Sequence, residues 1–115
     1  MVKIIIAGGR DFSNEELLTS KCDEIISNRL CEIVSGGAKG ADRLGEFYAI
    51  DRNYEIHRFP ADWDKFGKRA GFLRNAEMAE YADELIAFWD GASKGTKHMI
   101  DLATQKGLVV HVIHY

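Results

Sequence analysis

The chain has 115 residues, of which 46% are apolar and 29% are charged, and its formal net charge is −3. This composition excludes a disordered chain, and the length predicts one domain over residues 1–115 with a full hydrophobic core. The negative charge disfavours sequence-independent nucleic-acid binding, which usually requires a basic surface.

Short apolar runs alternate with helical patterns along the chain. The first run, Lys3 to Ala7, is β-branched and ends at a glycine pair, as is typical of a buried strand. Strict alternation of strand and helix predicts a Rossmann-like three-layer sandwich with a five-stranded, mostly parallel sheet. The expected elements are strand 3–7, helix 15–28, strand 31–35, helix 38–52, strand 54–59, helix 65–81, strand 84–89, helix 94–106 and strand 108–113.

No apolar run is long enough for a signal peptide or a membrane span. The two cysteines, Cys22 and Cys31, lack the spacing of a metal site, and the four histidines are scattered. Reduced, buried thiols are typical of cytosolic proteins. We therefore expect a cytoplasmic protein with no membrane partner, no metal and no cofactor.

Segment 35–42, Ser-Gly-Gly-Ala-Lys-Gly-Ala-Asp, is the strongest local signal. It follows a predicted strand and opens a helix, where glycines let the backbone approach a ligand and aim free N–H groups at a phosphate. It is neither the G-x-G-x-x-G fingerprint nor a P-loop. A tight turn without a ligand explains the glycine content equally well.

The glycine pair Gly8-Gly9 and the arginine that follows it form a second, weaker signal at the end of the first strand. Arg10 can hold a phosphate bidentately, or can simply pair with Asp11 or Asp42. Ligands of parallel sheets bind beyond the carboxyl ends of the strands, so this loop and segment 35–42 are expected at one cleft.

Segment 60–78 is cationic within an acidic chain and contains Trp63, which can stack on a base or serve only in packing. Gly67, Gly71, Arg74 and Met78 would share one face of the predicted helix. Two helix glycines cost roughly 1 kcal/mol each, which close approach of a ligand or close packing of another helix, including one from a second subunit, would compensate equally well.

Segment 90–98 again joins a strand to a helix and carries two hydroxyl side chains near its glycines. Ser93 and Thr96, with the nearby backbone amides, can surround a phosphate, although a simple serine cap is an equal alternative. Across all four segments, the candidate ligand-binding residues are Gly8, Gly9, Arg10, Ser35, Gly36, Gly37, Lys39, Gly40, Asp42, Asp62, Trp63, Lys68, Arg74, Asn75, Gly91, Ser93, Gly95 and Thr96.

Taken together, these motifs resemble the SLOG superfamily, which includes DprA/Smf proteins and LOG-type phosphoribohydrolases, and especially its small YspA-like branch of bacteria and phages. The resemblance extends from Gly8 to about Ala103 and includes Pro60-Ala61-Asp62-Trp63. It implies a Rossmann-like sheet, a nucleotide or nucleotide-derived ligand and a homodimer. On this basis we expect a binding module, a sensor or a sequestering protein, for a phosphate-bearing small molecule.

The resemblance also implies two alternatives. LOG-type enzymes hydrolyse the N-glycosidic bond of nucleoside monophosphates, and residues 74–78 and 95–99 resemble their two motifs. Here Asn75 replaces a lysine and Met99 stands where the glutamate belongs, so hydrolysis would need Arg74 with Asp90 or Asp101 as a substitute carboxylate. DprA-type proteins bind single-stranded DNA, and their Ser-Gly-x-Ala-x-Gly-x-Asp pattern resembles segment 35–42, but the net charge disfavours this function.

Overall fold

All five predicted strands form and pair in parallel in the computed structural model, which describes residues 1–115. The strands are β1 (Val2–Gly8), β2 (Cys31–Ser35), β3 (Glu55–Arg58), β4 (Glu84–Trp89) and β5 (Val109–His114). The helices are α1 (Glu15–Ile26), α2 (Ala41–Asp51), α3 (Trp63–Phe66), α4 (Ala70–Tyr81) and α5 (Lys94–Gln105), with a 3₁₀ turn at Gly67–Arg69. None of the helices has the length and apolar character needed to cross a bilayer.

The strand order, β3-β2-β1-β4-β5, places β1 at the centre of the sheet. One edge of β1 pairs with β2 through Ile4 and Ile33, and its other edge pairs with β4 through Ile6 and Ile86. The chain thus proceeds outward from β1 to β3 and then returns to add β4 on the opposite side. The order reverses between β1 and β4, which is where ligands bind in open parallel sheets.

Two apolar clusters, one on each face of the sheet, hold the three layers together. Ile4 and Ile6 of β1 pack with Leu18 of α1 and Tyr48 of α2. Ile5, which points to the opposite face, belongs to the cluster that includes Met78 of α4 and Met99 of α5. The Rossmann-like sandwich predicted from the alternation is therefore confirmed.

Two predicted helices begin or continue differently from expectation. The helix predicted at 38–52 begins at Ala41, because Gly40 precedes it with φ +78°, a conformation outside the helical region. The helix predicted at 65–81 is interrupted, because Gly67 has φ +58° and separates α3 from α4.

The interruption corrects the prediction that Gly67, Gly71, Arg74 and Met78 share one face of a single helix. Gly67 is not part of a continuous helix face, and a Cβ added there would meet nothing within 4 Å. Its backbone conformation, not a close approach by another element, explains the glycine. The other three residues, Gly71, Arg74 and Met78, remain together on α4.

Candidate functional site

A cavity of about 470 Å³ opens at the carboxyl ends of β1 and β4, where the strand order reverses. All four predicted loop segments contribute to its walls, so they do meet at one cleft. We call this the first cavity. The predicted site residues that line it are Gly8, Gly9, Arg10, Asp42, Trp63, Lys68, Arg74, Asn75, Asp90, Ser93, Gly95 and Thr96.

Arg74, on α4, is the most deeply placed cation of the site and is only 9% exposed. Its Nη1 donates a hydrogen bond of 2.5 Å to the carbonyl of Gly36, and its Nε donates one of 3.0 Å to Oδ1 of Asn75. Glycine at position 36 leaves room for this arrangement: a Cβ there would lie 2.5 Å from Arg74 Nη1 and 2.8 Å from an oxygen of Asp42, so both side chains would have to shift. Burial lowers the pKa of Arg74, and the nearby charge of Asp42 partly offsets this effect.

Asp42 stands in the first turn of α2 and faces the same cavity. Its Oδ2 accepts a hydrogen bond of 3.2 Å from the amide of Ala38. Burial raises the pKa of this carboxyl from 3.8 to about 6, even though the amide hydrogen bond and the charge of Arg74 both favour the anion. Asp42 therefore changes charge in a pH range close to neutral.

The raised pKa of Asp42 predicts a stability that falls as pH rises. Between about pH 4 and pH 6 the folded state keeps a proton that the unfolded state has lost, so ionisation costs free energy in the folded state. From pH 4 to pH 7 the wild type should lose roughly 2 kcal/mol of stability relative to Asp42→Asn, which cannot titrate. Urea unfolding of both proteins across this range measures the difference, and parallel pH profiles would contradict it.

The amino end of α5 also lines the first cavity. The hydroxyl of Ser93 caps the helix and lies 3.1 Å from the hydroxyl of the buried Thr96. Asp90 supports this loop, because its Oδ1 accepts hydrogen bonds of 2.8 Å from the amides of Ala92 and Ser93. These hydrogen bonds lower the pKa of Asp90, which therefore remains an anion at neutral pH.

Asn75 connects α4 to α5. Its Nδ2 lies 3.3 Å from the carbonyl of Gly95 and 3.3 Å from Nδ1 of His98. Because its Oδ1 also accepts from Arg74, this one side chain ties the buried cation to the amino end of α5. The side chain of Asn75 therefore bridges the two helices beside the first cavity.

A second cavity, of about 780 Å³, adjoins the first. It is lined by the loop after β2 and the loop after β3, and it shares Arg10, Ala38, Trp63 and Arg74 with the first cavity. Three predicted site residues line this second cavity and not the first: Gly36, Gly37 and Lys39.

Five predicted residues line neither cavity. Asp62 caps α3, and the hydroxyl of Ser35 donates to Glu46 and accepts from the amide of Gly37. Gly40 packs against the backbone of the β1 loop, and Gly91 has φ +85° with open space around it. Asp101 lies on the exposed side of α5 and pairs with Lys97 at 2.8 Å, so it is not placed to replace the missing glutamate.

Sequence reasoning also missed residues that shape the site. Met99 itself lines the first cavity and is 1% exposed, so an apolar side chain occupies the position at which LOG-type enzymes carry glutamate. Phe72 lines the same cavity. Tyr115 donates a hydrogen bond of 2.7 Å to Asp11 and closely approaches Gly9, where a Cβ would lie 2.0 Å from its hydroxyl oxygen. No local motif marks a contact between residues more than 100 positions apart.

Comparison with known proteins agrees with this architecture. A sequence model of the family described as YAcAr: YspA, cpYpsA-related SLOG family matches residues 2–66. The Gene 61 protein of Mycobacterium phage D29 is 41% identical over 86 residues, which cover 68% of this chain and 67% of the phage protein. The structure of DNA processing protein A (DprA) from Streptococcus pneumoniae is similar to the whole chain, with a TM-score of 0.81 and 19% identity.

The chain spans about half of the DprA structure, 51%, and at this level of identity the likeness concerns the fold alone. The family model, in contrast, covers more than half of the present sequence. The matched region includes the glycine pair Gly8-Gly9 at the end of β1 and the whole of segment 35–42. This protein therefore belongs to the YspA- and cpYpsA-related SLOG family.

Proposed function

We propose that this domain is a binding module, a sensor or a sequestering protein, for a phosphate-bearing nucleotide or a nucleotide-derived small molecule. The observation that carries the proposal is the nearly buried Arg74 in the wall of a cavity at the point where the strand order reverses. The carbonyl of Gly36 and the side chain of Asn75 both hold the guanidinium of Arg74 in place. A guanidinium fixed in this way is suited to hydrogen-bonding a phosphate, because its side chain loses little conformational entropy on binding.

The amino end of α5 supplies a second set of phosphate ligands. The amides of Lys94 and Gly95 have no hydrogen-bond acceptor within the protein, and the positive end of the helix dipole favours an anion in front of them. The hydroxyls of Ser93 and Thr96 stand beside these amides. A phosphate bound between this helix end and Arg74 would accept hydrogen bonds from both.

Trp63 provides an apolar surface for the rest of the ligand. The residue is 49% exposed, and it lines the first cavity together with Phe72. An exposed indole beside a cationic site supports stacking by a nucleobase. The cavity volume of about 470 Å³ lies within the usual range for small-molecule sites.

The hydrolytic alternative is supported by one observation, the Asp90 anion at the first cavity. An anion there could stabilise a ribosyl cation, but the lowered pKa makes Asp90 a weak proton acceptor. The buried Met99 supplies neither a charge nor a proton. We therefore propose binding without rapid turnover.

Titration calorimetry against the four common nucleoside 5′-monophosphates and ADP-ribose tests this proposal, with chromatography of the same samples for released base. We expect saturable 1:1 binding of at least one compound and no rapid release of base. Rapid release that depends on Arg74 would establish the glycosidase instead. Tight, salt-sensitive binding of an oligothymidylate with no response to mononucleotides would favour the DprA-like function, and no binding at all would contradict all three.

A further inference from the structure

The second cavity is strongly cationic within a chain whose net charge is −3. Its only acidic lining residue, Glu46, already accepts hydrogen bonds of 2.6 Å from Ser35 and 2.8 Å from Arg58. Basic residues are therefore in clear excess around a concave space. The five basic residues that line it are Arg10, Lys39, Arg43, Arg58 and Arg74.

Backbone donors reinforce this positive character. The amides of Gly36 and Lys39, which both line the second cavity, have no hydrogen-bond acceptor within the protein. Arg43, in the first turn of α2, is exposed and forms no ion pair. Free amides and an unpaired arginine in one concave loop region are typical of an anion site.

The two cavities are continuous in their lining. Arg10 and Trp63 line both, and the guanidinium of Arg10 lies 5.8 Å from the centre of the Trp63 ring. Arg74 also lines both. A molecule that occupies the first cavity and extends past these three side chains would enter the second.

From this arrangement we infer that the ligand is of the dinucleotide class, with one phosphate group in each cavity. The inference rests on the proposed function and goes further, because a mononucleotide would leave the second cavity and its cations unused. Trp63, at the junction, would lie against the nucleoside that connects the two phosphates. Each phosphate would then have its own cation, Arg74 for the first and Arg43 for the second.

Calorimetry with nucleoside 5′-monophosphates and the corresponding 5′-phosphorylated dinucleotides, pNpN, tests the inference. The best dinucleotide should bind about ten- to a hundredfold more tightly than its mononucleotide, which is the gain expected from one more charge-assisted phosphate contact. Arg43→Glu should remove this gain and leave mononucleotide affinity nearly unchanged. Arg69→Glu, the same substitution at an exposed arginine that forms no ion pair and lines neither cavity, is the matched control and should bind both compounds like the wild type.

The variants are expected to fold, because Arg43 makes no ion pair and an acidic residue is favourable in the first turn of a helix. Arg43→Gln provides a second, milder variant with an intermediate loss. If mononucleotides bind and dinucleotides bind no better, the inference fails and the proposed function stands. If neither binds, both fail. The same titration with longer 5′-phosphorylated oligonucleotides completes the test: affinity that continues to rise with length would overturn the inference in favour of a single-stranded nucleic acid.

Discussion

Arg74→Ala is expected to weaken nucleotide binding by about ten- to a hundredfold, the usual cost of losing one charge-assisted phosphate contact. The loss comes from two effects in the first cavity. The phosphate loses its deepest cation, and the carboxyl of Asp42 faces the ligand without the guanidinium that partly neutralises it. Titration with the best mononucleotide measures the change.

The matched control for this variant is Arg69→Ala, which removes an exposed arginine from the 3₁₀ turn just before α4. Arg69 lines neither cavity, so its loss should leave affinity nearly unchanged. Arg74→Lys keeps the charge but cannot donate to both Gly36 and Asn75 in the same planar geometry. Its nucleotide affinity should therefore lie between those of Arg74→Ala and Arg69→Ala. Equal affinities for all three variants would show that Arg74 does not bind the ligand.

Gly40→Ala is expected to lower the free energy of unfolding by roughly 2–5 kcal/mol. Gly40 has φ +78°, and a Cβ there would lie 2.2 Å from the carbonyl oxygen of Gly9 and 2.7 Å from the carbonyl carbon of Arg10. Both contacts are with backbone, so neither can be relieved by a rotamer change. The β1 loop would have to move away from α2.

Gly91→Ala separates the clash from the backbone strain. Gly91 also has positive φ, +85°, but a Cβ there would meet nothing within 4 Å. Its replacement should cost only about 1 kcal/mol, the strain of a left-handed alanine. Urea unfolding of the two variants measures the difference, and similar losses would mean that the loop after β1 yields easily.

Three strands, β1, β2 and β4, were predictable because they are short, largely buried apolar runs with glycines at or shortly after their ends. The more exposed β3 and β5 were predicted from the partial alternation of residues 54–59 and the valines of residues 108–113. The break in the helix at Gly67 was not predictable from sequence, because glycine is tolerated within helices and only the structure reveals its positive φ. The convergence of loops at one cavity followed from the parallel topology. The hydrogen bond of Arg74 to Gly36 and that of Tyr115 to Asp11 join distant parts of the chain, so no local motif indicates them.

The predicted two-fold dimer stays a prediction, which light scattering would check.

The reversal of strand order divides the walls of the first cavity between two halves of the sequence. The β1 and β2 loops come from the part before α3, whereas Arg74 and the amino end of α5 come from the part after it. A bound ligand would therefore act as a non-covalent cross-link between the halves, and its binding free energy would add to the free energy of unfolding. At a free concentration one hundred times its dissociation constant, it would add about 2.7 kcal/mol. For a chain of this size, that corresponds to a rise in Tm on the order of 10 °C, so a thermal-shift screen of a metabolite library would detect compounds that bind this tightly.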